Sequence, residues 1–457
     1  MADNPGEGSR RLPKSPDNRR FLDTTSITMS SRASSLEQAM RTTLALEDQL
    51  EKQLEGMPAE ESLKRMLSIR SIVSTTSSFA QRQTAAVGTN IMFREIGTGS
   101  IGKVFEHPGT VFVYKLPVSG QPKKLWNNYV MHKRIESSFQ TLPHFEGQVE
   151  IPRCFWYATH TTNAFWDKNL EFFPHTPEFP RAARHVLCME RIFPLPKPIR
   201  HALIAKYCPP QAQATMKESE TNKHCLVRPC LGRIKYGGGN QFFSLRNFKL
   251  HANQMQDLSL STAEFYVAMA QALAVLHWHT NIDAKDIEFV LGSSPLEEQL
   301  IRADVGLDKL MSLQPQTSTY EEATHTSGDF TKRVTSLWML DFDDCEDITM
   351  DEAGVDKAVN AFIETNLYCP KSNTGNEYIE SLWAGFRQNY VQHSDKILID
   401  HVNKPNLCFL PRQFVDKLTQ QTAPRQQPSQ GSQNPRQRSR GRGASSFNRQ
   451  SNRSVPL

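Results

Sequence analysis

One segment sets the scale of the fold. STAEFYVAMAQALAVLH, from Ser261 to His277, carries apolar side chains at Phe265, Val267, Met269, Ala272, Leu273 and Leu276. At helical spacing these nearly ring the axis, so the helix has no face to give to water. It must lie in a core and be enclosed by other elements. A chain of 457 residues is long enough for that enclosure, as one large two-lobed domain or two ordinary ones.

The enclosing elements change in texture along the chain. Between Asn90 and Phe193 short β-rich runs dominate: Ile91 to Ile96, Lys103 to Phe105, Val111 to Leu116 and His185 to Met189, with a helical stretch from Leu125 to Phe139. They predict a small antiparallel sheet over 86–192. The α-rich part, 193–410, holds the core helix and two short β runs, Phe289 to Leu291 and Trp338 to Leu340. The fold class is therefore α+β. The polar stretch between those two runs, including TSTYEEATHTSGD, exceeds an ordinary loop and reads as an insertion or as disorder.

Both ends differ from this middle. Within 1–85, the first twenty-five residues are too polar to fold alone. A helix is predicted from Ser34, with Glu37 completing a capping box, to a stop at Gly56 and Pro58. A second runs from Ala59 to Val73 with Leu63, Met66, Leu67 and Ile69 on its apolar face, and Ser74 to Thr84 reads as a linker. The helices either pack on the following domain or form a partner-binding hairpin. Residues 411–457 make a low-complexity tail rich in Arg, Ser and Gln.

Charge follows the same division. The formal net charge is +5, and the tail alone holds seven arginines and no acid from Arg425 onward, so the rest of the chain is slightly acidic. RQRSRGRG can lie along phosphate backbones with salt-sensitive, sequence-indifferent affinity, although a single aromatic, Phe447, leaves little for base stacking. A solvated, disordered tail is the simpler reading. No window approaches the roughly eighteen apolar residues of a spanning helix, and MADNPGEGSRRLPKS has no apolar region behind its charges. The expectation is an intracellular protein of cytoplasm or nucleus, not secreted and with no membrane partner. Eight cysteines include no CxxC pair, which speaks against a disulfide scaffold and against zinc.

Four motifs carry chemistry. IGTGSIGKVF places Gly97, Gly99 and Gly102 at G-x-G-x-x-G spacing, and the residues after them continue as a strand that ends at His107-Pro108-Gly109. A two-strand flap whose amides approach phosphate oxygens fits this better than a dinucleotide fold, which needs a helix there. In VFVYKLP, Lys115 is the only charge in an apolar run and points either to the sheet edge or to an anion. HWHTNIDAKDIEFVLG gathers Asp283, Lys285, Asp286 and Glu288, and LWMLDFDDC ends an apolar strand in Asp341, Asp343 and Asp344. Bases, a charge clamp and hard oxygen ligands for magnesium are what phosphoryl transfer needs. Solvated loops explain the same residues less economically when all four motifs occur in this order.

That order resembles the protein-kinase-like superfamily, including the aminoglycoside phosphotransferase branch, over roughly residues 90–410. The phrases SLRNFKLHANQMQDL, MAQALAVLHWHTNIDAKDIEFVLG, WMLDFDDC and LWAGFRQNY also resemble a fungal family, domain of unknown function 3669, whose members are often labelled zinc-finger proteins. The kinase resemblance implies a protein-kinase-like two-lobed fold with ATP and Mg2+ between a β-rich and a helical lobe. Gly97, Gly99 and Gly102 would cover the phosphates and Lys115 would pair with them. Cys188, Met189 and Glu190 would present backbone groups to the adenine. Asp283 and Lys285 would be catalytic, with Glu288 and Asp341 holding metal.

Departures from the kinase pattern are equally plain. Asn281-Ile282 stands in place of His-Arg, Glu288 in place of asparagine, and Asp343 in place of the DFG glycine; no APE segment follows. The acidic partner of the strand lysine falls on Asn128 or on Glu136. The chain reads as a phosphotransferase of unknown protein or small-molecule substrate. Its alternative is a pseudokinase-type interaction scaffold.

Overall fold

The computed structural model describes residues 57–421, apart from 68, 70, 75–77, 100, 119–120, 143–148, 237–242, 296–298, 302–304, 322–323, 327–329 and 331. The helix expected from Ser34 and the arginine tail lie outside these residues.

The described chain is α+β. Helix α1 (Ala59–Met66), strand β1 (Ser71–Ser74) and helix α2 (Ser78–Ala86) precede the hairpin strands β2 (Arg94–Thr98), β3 (Gly102–Glu106) and β4 (Phe112–Pro117). Helix α3 (Pro122–Gln140), β5 (Cys154–Ala158), α4 (Asn163–Asn169) and β6 (Val186–Glu190) follow. The five strands β2 to β6 form an antiparallel sheet in the order β2-β3-β4-β6-β5. Side chains alternate across β4. Phe112, Tyr114 and Leu116 enter a buried aromatic core with Phe105, Trp156 and Phe165. Lys115 and its in-register neighbours Val104 and Leu187 face the other way, where Leu125 and Tyr129 of α3 pack on Leu187.

The remaining helices are α5 (Lys197–Tyr207), α6 (Gln213–Glu218), α7 (Ala252–Asp257), α8 (Thr262–Val275), α9 (Leu307–Ser312), α10 (Glu352–Thr365), α11 (Glu377–Lys396) and α12 (Phe409–Gln421). Between them lie β7 (Val227–Cys230), β8 (Phe248–His251), β9 (Glu288–Pro295), β10 (Gln299–Ile301), β11 (Thr324–Thr326) and β12 (Lys332–Leu340). A second five-stranded sheet has the order β1-β12-β9-β7-β8. The core helix α8 packs on α11, and a π-turn, Leu276–Thr280, carries it into the charged loop. There His277 Nδ1 meets Tyr390 Oη at 2.8 Å and Trp278 donates to the same hydroxyl at 3.0 Å.

Five expectations change, the first being the linker read over Ser74 to Thr84, most of which is helix α2 from Ser78 onward. The second N-terminal helix stops at Met66, and β-branched Ile72 and Val73 sit in β1, which pairs with β12. Its Leu63, Met66 and Leu67 are buried in the main core, so that face is spent inside the molecule. The long stretch after β9 is built rather than loose: β9 and β12 pair over their whole length, β10 pairs with β11, and Leu310 of α9 is buried with Tyr129. Tyr129 Oη and Thr319 Oγ1 lie 2.8 Å apart, and Tyr157 N donates to the same oxygen. Finally, order continues beyond 410, because Phe414, Val415 and Leu418 of α12 are buried.

Candidate functional site

Lys115 reaches from the centre of the first sheet to the loop after β12. Its ammonium donates to Asp341 Oδ1 at 2.8 Å, Asp343 Oδ2 at 3.0 Å and Asn128 Oδ1 at 3.1 Å, and the residue is only 7% exposed. Burial pulls its pKa down, but the charges of Asp341 and Asp343 and their hydrogen bonds outweigh this and raise it. The two carboxylates part ways. Burial pushes Asp343 up to about 7, with the neighbouring Asp341 charge adding to it against Lys115. Asp341 is held below the usual range: burial opposes ionisation, and Lys115 and the Asp343 hydrogen bond overcome that. These shifts run in opposite directions, favouring the charge on Asp341 and the proton on Asp343.

Helix α3 supplies the frame. Asn127 Nδ2 donates to the carbonyls of Asp343 and Cys345 at 2.9 and 3.0 Å, and Lys124 donates to Asp344 at 2.7 Å. Asn128 therefore takes the place beside Lys115 that a glutamate could have held. Glu136 is occupied elsewhere, accepting from Lys133 at 2.9 Å and from the Cys154 amide at 3.4 Å.

The glycine hairpin adjoins the lysine strand, and Val104 of β3 is in register with Lys115 on the same face of the sheet. Gly99 N donates to Gly102 O at 2.8 Å and closes the turn. A Cβ on Gly102 would lie 2.5 Å from the Leu116 carbonyl oxygen, whereas at Gly97 and Gly99 the nearest atoms are 3.6 and 3.8 Å away. Of the three, Gly102 is demanded by packing; at the other two a Cβ would make ordinary van der Waals contacts.

The charged loop is arranged differently from its sequence reading. Asp283 is 2% exposed, and its Oδ1 accepts from the amides of Lys285 at 3.1 Å and Glu346 at 2.9 Å. Burial raises its pKa against these two hydrogen bonds. It clamps two loops together. The Lys285 ammonium turns to Glu364 on α10, 3.5 Å away. Asp286, which the motif contains but the sequence reading assigns no role, is exposed. Partial desolvation of its carboxyl by the surrounding loops raises its pKa, and the charges of Asp341 and Asp344 raise it further. Glu288 accepts from Arg228 at 2.6 Å, and burial lifts its pKa to about 6 against that guanidinium. Asn281, Ala284, Asp286 and Asp341 all have φ between 55° and 68°. Left-handed non-glycine residues of this kind are costly, and here they collect in the two loops of one site.

Cys188, Met189 and Glu190 do not form a free connecting segment. They pair with Tyr114, Val113 and Phe112 of β4, Glu190 N donates to Arg153 O at 2.8 Å, and the Glu190 carboxylate accepts from Arg153. The Cys188 side chain belongs to the aromatic core on the face away from Lys115. A cavity of about 260 Å3 adjoins it there, lined by Phe93, Tyr114, Trp156, Phe165 and Phe172 among others.

The site thus brings together Lys115 and Asp341 as the sequence order implies, adds Asp343, Asn128, Asp286 and Arg228, and leaves Asp283 and Lys285 to the loop's interior and to α10. Asp343 and Asp286 were visible as members of acidic motifs; Arg228 had no local signal. Two carboxylates beside one lysine suit magnesium, which takes one or two protein carboxylates and completes its shell with phosphate and water. Among the described residues no three His, Cys, Asp or Glu side chains form a metal-binding group.

Residues 337–402, which run from within β12 through the aspartate loop to a point past the end of α11, match the model of the family DUF3669, described as zinc finger protein. Its two cysteines here are engaged separately, Cys345 Sγ with the Lys285 carbonyl and Cys369 Sγ with Asn366 Nδ2, both at 3.4 Å. A comparison with curated proteins finds no match. No described helix is long and apolar enough to cross a membrane.

Proposed function

We propose that the chain is a kinase-like phosphotransferase that binds a magnesium nucleoside triphosphate against Lys115, Asp341 and Asp343. The observation that carries this reading is the three-way contact of a strand lysine, a helix asparagine and a paired aspartate loop, whose members lie up to 228 residues apart in sequence. The sheet order β2-β3-β4-β6-β5, the lysine on its third strand and α3 on the lysine's face support the kinase-like arrangement. Asp341 and Asp343 would hold magnesium, which when bound neutralises phosphate charge. Lys115 would then exchange an aspartate for a phosphate oxygen. In the transfer the terminal phosphorus–oxygen bond of the nucleotide breaks and one to an acceptor hydroxyl forms, while the hydroxyl proton passes to Asp286, the exposed carboxylate of the loop. Asp283 is a positioning residue, holding the loop through two backbone amides.

The test is calorimetry of Mg-ATP with the full chain beside Lys115→Ala and Asp341→Asn, each shown folded by circular dichroism. Saturable, magnesium-dependent binding that both substitutions abolish is expected; a folded wild type that binds nothing removes the reading. A second reading, a nucleotide-binding scaffold without catalysis, is favoured by Asn128 standing beside Lys115 and by Lys285 being drawn to Glu364. Binding without phosphate release or transfer would select it.

A further inference from the structure

A strip of positive charge, most of it without a paired carboxylate among the described residues, leads away from the mouth of this site. Arg228 on β7 is the innermost member, tied to Glu288 at 2.6 Å. Its neighbour in the parallel register is Lys249 of the edge strand β8, so two cations stand side by side on adjacent strands. Such a placement is unfavourable by itself. Arg233 and Lys235 follow directly after β7, with their backbone fixed: Ala252 N donates to Arg233 O at 3.1 Å, and Lys235 exchanges two hydrogen bonds of 3.0 Å with Asn253. Lys371 lies against Gly232, its Cγ 3.3 Å from where a glycine Cβ would stand. At the other end Arg246 is near enough to Glu95 of the glycine hairpin to favour that carboxylate's ionised form.

Among the described residues, no carboxylate lies within ion-pair distance of Arg233, Lys235, Lys249 or Lys371. The groups feel one another instead: Arg233 contributes to lowering the half-buried Lys371, and Lys235, Lys249 and Arg233 all disfavour protonation of His251, after burial in each case. Like charges held together by backbone bonds raise the local concentration of anions. Arg228 and Lys235 are seven residues apart, so with a rise near 3.3 Å per residue the strip is no longer than roughly 23 Å. That length suits one multiply charged small molecule better than the track of a polymer.

Resting on the phosphotransferase reading of the cleft, we infer that its acceptor is a small molecule bearing phosphate or clustered carboxylate groups, seated on Arg228, Lys249, Arg233 and Lys235 with its hydroxyl toward Asp286. Arginine forks and lysine ammonium groups together match such an anion.

The probes are inorganic triphosphate and citrate, titrated calorimetrically into the full chain at about 150 mM salt, where exposed charges are well screened. The proteins are wild type, Lys115→Ala, and the exposed double variants Arg233→Glu/Lys249→Glu and Arg233→Gln/Lys249→Gln. The arginine tail is common to all four and cancels in the comparison. Triphosphate binding that survives in Lys115→Ala, weakens about tenfold or more in the Glu pair and by less in the Gln pair is expected, with Mg-ATP affinity held within about twofold. The citrate arm separates a phosphate site from a general polyanion site within the same inference. Equal triphosphate affinity in wild type and the Glu pair overturns the inference. So does a parallel loss of Mg-ATP binding, which would give the strip to the nucleotide, or a single-stranded RNA that binds far more tightly than triphosphate and is lost in the same pair. The cleft and the strip fail separately, because Mg-ATP reports the first and triphosphate in Lys115→Ala reports the second.

Discussion

Lys115 is a buried cation answered by two carboxylates that repel each other once it is gone. Lys115→Ala should therefore cost about 3 kcal/mol of unfolding free energy at neutral pH by urea denaturation, as expected for breaking a buried pair from one side. The loss should shrink toward pH 5 as Asp343 protonates and as Asp341, no longer held low by Lys115 in the variant, takes up a proton more readily. Asp343 makes a separate prediction. Its folded pKa, about 7, lies above the unfolded value, so the folded state binds more protons between these limits and the group's contribution falls as pH rises through that window. Asp343→Asn removes the penalty, and its stability relative to wild type should rise from pH 4 to pH 8, by on the order of 1 kcal/mol, in paired denaturation curves. Gly102 and Gly99 separate folding from binding. Gly102→Ala meets the Leu116 carbonyl and should destabilise by about 1–3 kcal/mol, while Gly99→Ala should fold as wild type, so any loss of Mg-ATP affinity there reads the hairpin's function alone.

At the scale of elements, α3 joins the first sheet to the aspartate loop, and the joint is polar. Asn127→Ala removes two hydrogen bonds to that loop and should cost about 2 kcal/mol, with the larger share seen as faster hydrogen exchange around residues 341–345. Two histidines are buried at the ends of such contacts. Burial holds His132 and His277 down to about 3, and each is neutral in the folded state. A histidine at the end of a helix can gain from the dipole as a cation, but His277 is enclosed by Tyr390 and the following loop, and desolvation wins. Because both folded values lie below the unfolded one, their contribution is complete above about pH 6.5 and is lost as pH falls toward 3. Unfolding free energy should drop over that interval, and His277→Asn should flatten the slope.

Across the whole molecule, the chain closes on itself later than its composition suggests. Helix α12 runs to Gln421 and buries Phe414, Val415 and Leu418, three apolar side chains worth roughly 5 kcal/mol together. A chain ending at 410 should lose a cooperative melt that one ending at 421 keeps, which differential scanning calorimetry would distinguish. The boundary was hard to place because PRQFVDKLTQQ is mostly polar, and its three buried residues matter only against α10 and α11. The insertion between β9 and β12 misleads for the same reason: Leu310 and Thr319 look like surface residues until Tyr129 and Tyr157 are beside them.

Periodicity alone was enough for the α+β class, the core helix, the glycine hairpin and the strands bearing Lys115 and the aspartates, since each is a local pattern read by one face of one element. Tertiary structure decided which charges meet. It seated Asn128 rather than Glu136 beside Lys115, turned Asp283 inward and Asp286 outward, and set Arg228 on Glu288 across 60 residues. Burial and charge–charge distance are properties of the packed chain, and no spacing along it encodes either.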